Sequence, residues 1–271
     1  MSSIVFIGGG NMASCIIGGM IAQGFESSDI AVSVPTQNSR DRLKSEFNVQ
    51  VTDDNRSAVA SADVVVLAVK PQIMRSVALD VASAIPANAV VVSIAAGISI
   101  ESMQAWLGDS IAIVRAMPNT PSLVGTGATG LYANPTTDDA QQQIVSKIFE
   151  AVGYCCWVDT EAQINAVIAV SGSGPAYFFR ILEIMQLVGQ ELGLPENVAR
   201  QLASQTALGA AQMAKDSNLS PAQLREQVTS PGGTTERALN TFQQENLEAI
   251  FRKAMTSAVA RAEQMSEDFS E

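Results

Sequence analysis

Five short runs of apolar, mostly β-branched residues punctuate the first half of the chain: residues 3–7 (SIVFI), 30–34 (IAVSV), 64–69 (VVVLAV), 90–95 (VVVSIA) and 111–116 (IAIVRA). They are almost continuously apolar, as strands buried on both faces must be. Stretches with helical spacing separate them, at residues 11–23, 39–47, 72–84 and 100–107. A further helix is expected at residues 138–152 and a strand at 154–158. This βαβα rhythm implies a parallel sheet with helices on both faces. After about residue 160 the strand-like runs stop, and long stretches at 163–192 and 196–215 carry apolar residues at helical spacing. Pro195, Pro221 and Pro231 fall near helix starts or breaks, and the last helix is expected from Thr234 or Thr235 to about Met265. The fold class is therefore α/β: a doubly wound, Rossmann-like N-terminal domain, residues 1–160, then an all-helical C-terminal domain, residues 161–271. The Ala, Leu, Met and Val content of the helical half implies burial of part of its surface against a second copy.

Composition removes several function classes. Against 16 Lys and Arg stand 27 Asp and Glu, a net charge of −11 with no basic run, so no nucleic-acid partner is expected. The chain has no His, which removes the commonest general acid and base and the commonest metal ligand, and no metal is expected. Cys15, Cys155 and Cys156 are odd in number with two adjacent, a poor disulfide framework that suits a reducing compartment. The adjacent pair reads as structural thiols, with a redox pair as the alternative. The opening MSSIVFIGGG lacks a basic leader, and no apolar run reads as a confident membrane span, so a cytoplasmic protein with no membrane partner is expected. Trp106 and Trp157 read as core, and the acidic tail at residues 267–271 as frayed.

Directly after the first strand stand Gly8, Gly9, Gly10, Asn11, Met12 and Ala13. Gly8-x-Gly10-x-x-Ala13 fits the dinucleotide fingerprint: a tight turn, a close backbone approach for the pyrophosphate, and a small residue where helix meets sheet. The phosphates then meet free N–H groups at a helix N-terminus. A plain strand–turn–helix is the alternative. NAD sites usually end the second strand with an acid for the ribose 2′-OH. Here the strand runs into Val34-Pro35-Thr36-Gln37-Asn38-Ser39-Arg40 with no acid, and Thr36, Asn38, Ser39 and Arg40 can surround a 2′-phosphate, which favours NADPH over NADH. The alternative is an ordinary N-cap at Asn38 or Ser39 with Arg40 solvated. Three more loops follow strand ends, at Ala68-Val69-Lys70-Pro71, Ala95-Ala96-Gly97 and residues 117–121 (MPNTP). In an open α/β sheet such loops line the ligand crevice, although Pro, Gly and Asn are turn residues in any case.

Two breaks mark the helical half: residues 171–177 (SGSGPAY) and 228–235 (VTSPGGTT). Interior Gly costs a helix about 1 kcal/mol and Pro about 3, so close packing, a kink or a nearby ligand must offset the loss. Hydroxyacid dehydrogenases of this build often use a Lys on the first long helix of the second domain, and no Lys occurs between Lys147 and Lys215. An imine is different, because its nitrogen is basic and can arrive already protonated, and hydride transfer then needs positioning far more than acid catalysis. In VTSPGGTT, Gly232 and Gly233 bare the backbone and the next helix offers N–H groups to a carboxylate. Thr235 can place its hydroxyl at the ring nitrogen; a Pro-Gly turn with Thr as a cap is the alternative.

The segments FIGGGNMA, AVKPQ, SIAAGISI, RAMPNTP, SGSGPAYFF and LREQVTSPGGTTERAL occur in this order across nearly the whole chain. With them the chain resembles the pyrroline-5-carboxylate reductase family. The resemblance implies NAD(P)H-dependent reduction of a cyclic imine to L-proline, and a dimer interlocked through the helical domains, often assembled into decamers. It carries cofactor contacts to residues 8–13, Asn55, residues 68–71 and residues 95–97, and substrate contacts to Glu161, Thr234 and Thr235, with Gly232 and Gly233 shaping the loop. At Gln227 some relatives carry an Asn that touches substrate. Thr235 is the expected catalytic residue. A related imine or hydroxyacid reductase and a non-catalytic dinucleotide sensor are the competing readings.

Overall fold

The computed structural model describes residues 2–269. Its eight-stranded sheet comprises β1 (Ile4–Ile7), β2 (Ile30–Ser33), β3 (Gln50–Thr52), β4 (Val64–Leu67), β5 (Val90–Ser93), β6 (Ala112–Met117), β7 (Gly127–Ala133) and β8 (Gly153–Trp157). The spatial order is β3-β2-β1-β4-β5-β6-β7-β8, parallel throughout except between β6 and β7. The central strands are buried on both faces, as their continuous apolar runs require. Alternate residues feed two cores. Phe6, Val64 and Val66 pack with Ile16, Ile17 and Met20 on one side. Val5, Ile7 and Leu67 pack with Met74, Val81 and Trp106 on the other.

Six of the eight strands lie where the apolar runs place them. The two that sequence reading missed are the edge strand β3, only three residues long and partly exposed, and β7 (GATGLYA), whose two glycines and Thr break any apolar run. Gly130 in β7 is there for packing: a Cβ would lie 2.5 Å from Val167 Cγ2.

The helices of the first half are α1 (Asn11–Ala22), α2 (Gln37–Phe47), α3 (Asn55–Val59), α4 (Pro71–Val81), α5 (Ile100–Leu107) and α6 (Asp139–Glu150). Those of the second are α7 (Gln163–Val167), α8 (Gly174–Glu191), α9 (Glu196–Asp216), α10 (Pro221–Gln227), α11 (Thr234–Gln244) and α12 (Leu247–Asp268). SGSGP does not end the apolar helix. A π turn at Ile168–Gly172 links α7 to α8, and Pro175 falls in the first turn of α8, where a missing N–H costs nothing. The expected single helix from Thr234 to Met265 is two, because Asn246 adopts a left-handed φ of 54° between α11 and α12, a conformation Asn tolerates better than most residues.

By contacts the chain divides into two compact units. Residues up to Gly174 and from Ser257 onward form one, and Pro175–Thr256 the other. The tail does not fray as expected: α12 continues to Asp268, and Phe269 packs on the second core. Ser270 and Glu271 lie outside the described residues. Trp106 is core as expected, whereas Trp157 is half-buried, with its indole N–H on Ser146 Oγ at 2.9 Å. By length and composition Gln163–Glu191 is apolar enough to cross a membrane, a correction to the sequence reading, which saw no such run.

Candidate active site

The chain reverses its strand order at β1. β2 and β3 lie to one side of it, and β4 and all later strands lie to the other. Open α/β sheets bind ligands at this switch point, outside the carboxyl ends of the strands. The turns after β1 and β4 meet there. Gly8 has φ of +102°, and a Cβ on it would stand 2.5 Å from Ala68 O. Gly9 is enclosed too, since a Cβ would come within 2.6 Å of Leu43 Cδ1. Around Gly10 the space is open: a Cβ would meet nothing within 4 Å. Gly10 is also the N-cap of α1 and offers no side-chain cap, so the N–H groups of Asn11, Met12 and Ala13 face a cradle with no acceptor among the described bonds. Ala13 is buried where helix meets sheet. Two glycines fitted to their neighbours, one left bare and a row of free donors fit a dinucleotide pyrophosphate.

At the end of β2, Thr36 caps α2. Its hydroxyl oxygen accepts from Ser39 N at 3.3 Å and its O–H donates to Ser39 Oγ at 2.8 Å. The helix therefore starts two residues earlier than the spacing suggested. Asn38 is exposed. Arg40 folds back on its own turn: its guanidinium donates to Val34 O at 2.9 Å, Pro35 O at 3.0 Å and Gln37 Oε1 at 2.9 Å, and pairs with Asp53 at 3.2 Å. The guanidinium that comes to the glycine turn instead is Arg42, which sequence reading missed; it donates to Gly9 O at 2.8 Å. Its position nearly two turns past the N-cap of α2 was the available signal. Asn55, at the start of α3, accepts from Ser33 Oγ at 2.7 Å and donates to Asp80 Oδ2 at 3.3 Å, so the tips of β2, α3 and α4 are tied together.

The remaining loops of this unit have structural reasons of their own. Lys70 is the exposed N-cap of α4, with Pro71 at the first helical position. In the turn after β5, Ala95 N donates to Ser93 Oγ at 3.4 Å. Gly97 has φ of +75°, and a Cβ there would lie 2.7 Å from Met265 Cβ, so the passage of α12 requires glycine. Glu161 is anchored within the fold through one carboxylate oxygen. Its Oε1 accepts from Arg115 Nη1 at 2.6 Å and from Ile100 N at 2.8 Å. Arg115 is 4% exposed, and a lone Arg inside the run IAIVRA was the signal for it. Asn119, from MPNTP, donates to Ser171 O at 3.0 Å and accepts from Ala128 N at 2.8 Å, which pins the π turn to β7.

In the second unit, Gly232 takes φ of +73° and Gly233 caps α11 without a side chain. Both glycine N–H groups are already used: Gly233 N donates to Ser230 O at 3.0 Å, and Gly232 N to Glu236 Oε2 at 2.9 Å. The first helical bond runs from Arg237 N to Gly233 O. The N–H groups without an acceptor among the described bonds are therefore those of Thr234, Thr235 and Glu236, at the start of the helix that follows the glycines. Thr234 and Thr235 are exposed, and Gln227 ends α10.

Residues 161–265 match the family model for pyrroline-5-carboxylate reductase dimerisation, and residues 3–97 match that for NADP oxidoreductase, coenzyme F420-dependent. A pyrroline-5-carboxylate reductase of Pseudomonas aeruginosa is 48% identical over 268 residues, covering 99% of this chain and 98% of that protein. The chain belongs to the pyrroline-5-carboxylate reductase family. A solved reductase of this family from Coxiella burnetii superposes with a TM-score of 0.94 at 46% identity, covering 98% of both chains. The Plasmodium falciparum reductase, solved with NADP bound, gives a TM-score of 0.87 at 26% identity, again covering 98% of both chains.

The match to the family's dimerisation model explains the surface of the helical unit. Phe178, Phe179, Leu187, Leu202 and Leu208 are all more than half exposed, an apolar area that self-association covers. The cysteines are free. Burial pushes the Cys155 thiol up to about 11, helped by Glu150 and Cys156, and burial also raises Cys15. Those two thiols are therefore poor nucleophiles at neutral pH.

Proposed function

We propose that the N–H groups of Thr234, Thr235 and Glu236 receive the substrate carboxylate, and that the Thr235 hydroxyl orients the ring nitrogen. As a member of its family, the protein catalyses reduction of 1-pyrroline-5-carboxylate to L-proline, the final step of proline biosynthesis. The observation that carries the site assignment is the first turn of α11: three N–H groups without acceptors, no side-chain cap, and two hydroxyls. A helix end of this kind favours an anion without an Arg. Gly232 and Gly233 contribute shape, and Gln227 borders the same loop.

Bound NAD(P)H supplies the hydride to the C=N carbon. Gly8, Gly9, Gly10, Asn11, Met12 and Ala13 hold its pyrophosphate, and Asn55, residues 68–71 and residues 95–97 line the crevice beside them. Thr36, Asn38 and Ser39 at the start of α2 provide hydroxyls and an amide in place of the acid that would select a free ribose, and Arg42, paired with Glu46, brings a guanidinium to Gly9 O, so we read the preference as NADPH over NADH. Arg40 acts indirectly, by holding the turn that carries Thr36 and Ser39. Glu161, with Arg115, fixes the start of α5 behind the Ala95-Ala96-Gly97 turn. The imine nitrogen is basic and can arrive already protonated, so the reaction asks more for positioning than for a general acid. Free thiols suit a cytoplasmic setting, and dimers formed through the helical unit assemble further, into decamers.

The test is NADPH oxidation by the purified protein with pyrroline-5-carboxylate, repeated with NADH. Proline formation at a higher kcat/KM with NADPH supports both the loop assignment and the cofactor preference. A preference for NADH refutes the reading of the β2 turn. Light scattering on the same sample gives the subunit number.

A further inference from the structure

We propose that Glu236 is a positioning residue for substrate, holding the Gly232–Gly233 turn in the form that presents the first turn of α11. The proposal rests on the reading of that turn as the carboxylate site. Glu236 is half-buried in the first turn of α11, and its Oε2 reaches back to accept from Gly232 N at 2.9 Å. Gly232 is the residue whose left-handed φ of +73° reverses the chain after Pro231. The space on its Cβ side is open, since a Cβ on Gly232 would meet nothing within 4 Å. The next residue is held from the other side, by Gly233 N on Ser230 O, and Thr229 Oγ1 donates to Arg225 O at 2.6 Å. The turn is thus fixed at three points, and the carboxylate is the one tether that comes from α11 itself. Glycine is the residue with most conformational freedom to lose. A turn tethered before substrate arrives leaves less of that loss to the binding step.

Two roles of Glu236 must be told apart. A negative charge in the first turn of a helix stabilises it whatever it touches, whereas the tether requires an acceptor at the right reach. Gln keeps the acceptor and length but removes the charge. Asp keeps the charge but is one methylene shorter. We expect Glu236→Ala and Glu236→Asp to raise KM for pyrroline-5-carboxylate about tenfold, the effect of losing one hydrogen bond to a charged group. KM for NADPH stays nearly unchanged, and the melting temperature falls by no more than about 2–4 °C. Glu236→Gln stays within about twofold of the unaltered enzyme, a neutral acceptor replacing a charged one. Rescue by Asp and not by Gln would show that charge matters and not the tether, and would overturn the proposal. So would an unchanged KM in Glu236→Ala. Thr235→Val in the same series separates the layers: if it impairs turnover while Glu236→Ala does not, only the tether fails, and if neither changes the kinetics, the carboxylate reading of the loop falls with it.

Discussion

Gly8 and Gly232 both stand in left-handed backbone just ahead of a helix N-terminus, yet their surroundings differ. Gly8 sits in a turn where neighbours leave no room, with Ala68 O at 2.5 Å from a would-be Cβ. Gly232 faces open space on its Cβ side, and its N–H donates to Glu236 Oε2. The first turn is shaped by the sheet it grows from. The second is shaped by local bonds at the tip of a helical unit whose apolar surface takes a second copy. A rigid cradle suits a cofactor that returns in every cycle. A turn on a helix tip can be adjusted for substrate through one or two side chains.

The largest expected effect is that of Gly8→Ala. Backbone strain and the clash at Ala68 O together should weaken NADPH binding about a thousandfold, near 4 kcal/mol and at the upper end for one substitution; isothermal titration checks it, and near-normal affinity would break the contrast. Next comes Thr235→Val, which removes the hydroxyl expected at the ring nitrogen. A hundredfold loss of kcat/KM for the imine is expected, on the order of 2.7 kcal/mol of transition-state stabilisation, and steady-state kinetics reads it. Arg115→Leu leaves Glu161 without its partner. Because Glu161 remains partly solvated, about 2 kcal/mol of stability is expected to go, below the usual cost of breaking a fully buried pair; denaturant unfolding measures this. Gly232→Ala sharpens the comparison, since only the left-handed backbone opposes it. It should cost about 1 kcal/mol and leave NADPH affinity alone. Smallest of all, iodoacetamide at pH 7 should leave Cys155 and Cys15 unmodified for hours in the folded protein. The sign is that of a raised thiol: both stay protonated at neutral pH, and Cys155 ionises only near 11.

The parts of the molecule that sequence patterns revealed are those whose cause is local. VVVLAV and VVVSIA can only be strands buried on both faces, and GGGNMA after SIVFI opens a helix with bare N–H groups. β7 was invisible because its residues follow the demands of Val167 and β8, not of a period. Asn246 ended a helix that composition alone would have run on to Met265. At the start of α2 the cap is Thr36, not Asn38 or Ser39 as the sequence suggested, and Arg40 folds onto its own turn while Arg42 reaches Gly9 O, because a guanidinium goes wherever acceptors converge in space. Glu161 pairs with Arg115 across 46 residues, a partnership that no spacing encodes. Gly97 also makes room for α12, a demand that its turn chemistry does not reveal.

The central claim is a division of labour, with the nucleotide held by the turn after β1 and the imine by the turn before α11. Fluorescence titration of NADPH into Thr235→Val tests it most directly, alongside Gly8→Ala. The account predicts unaltered affinity in the first and lost affinity in the second. Equal loss of NADPH binding in both would contradict it, since the PGGTT loop would then belong to the cofactor site.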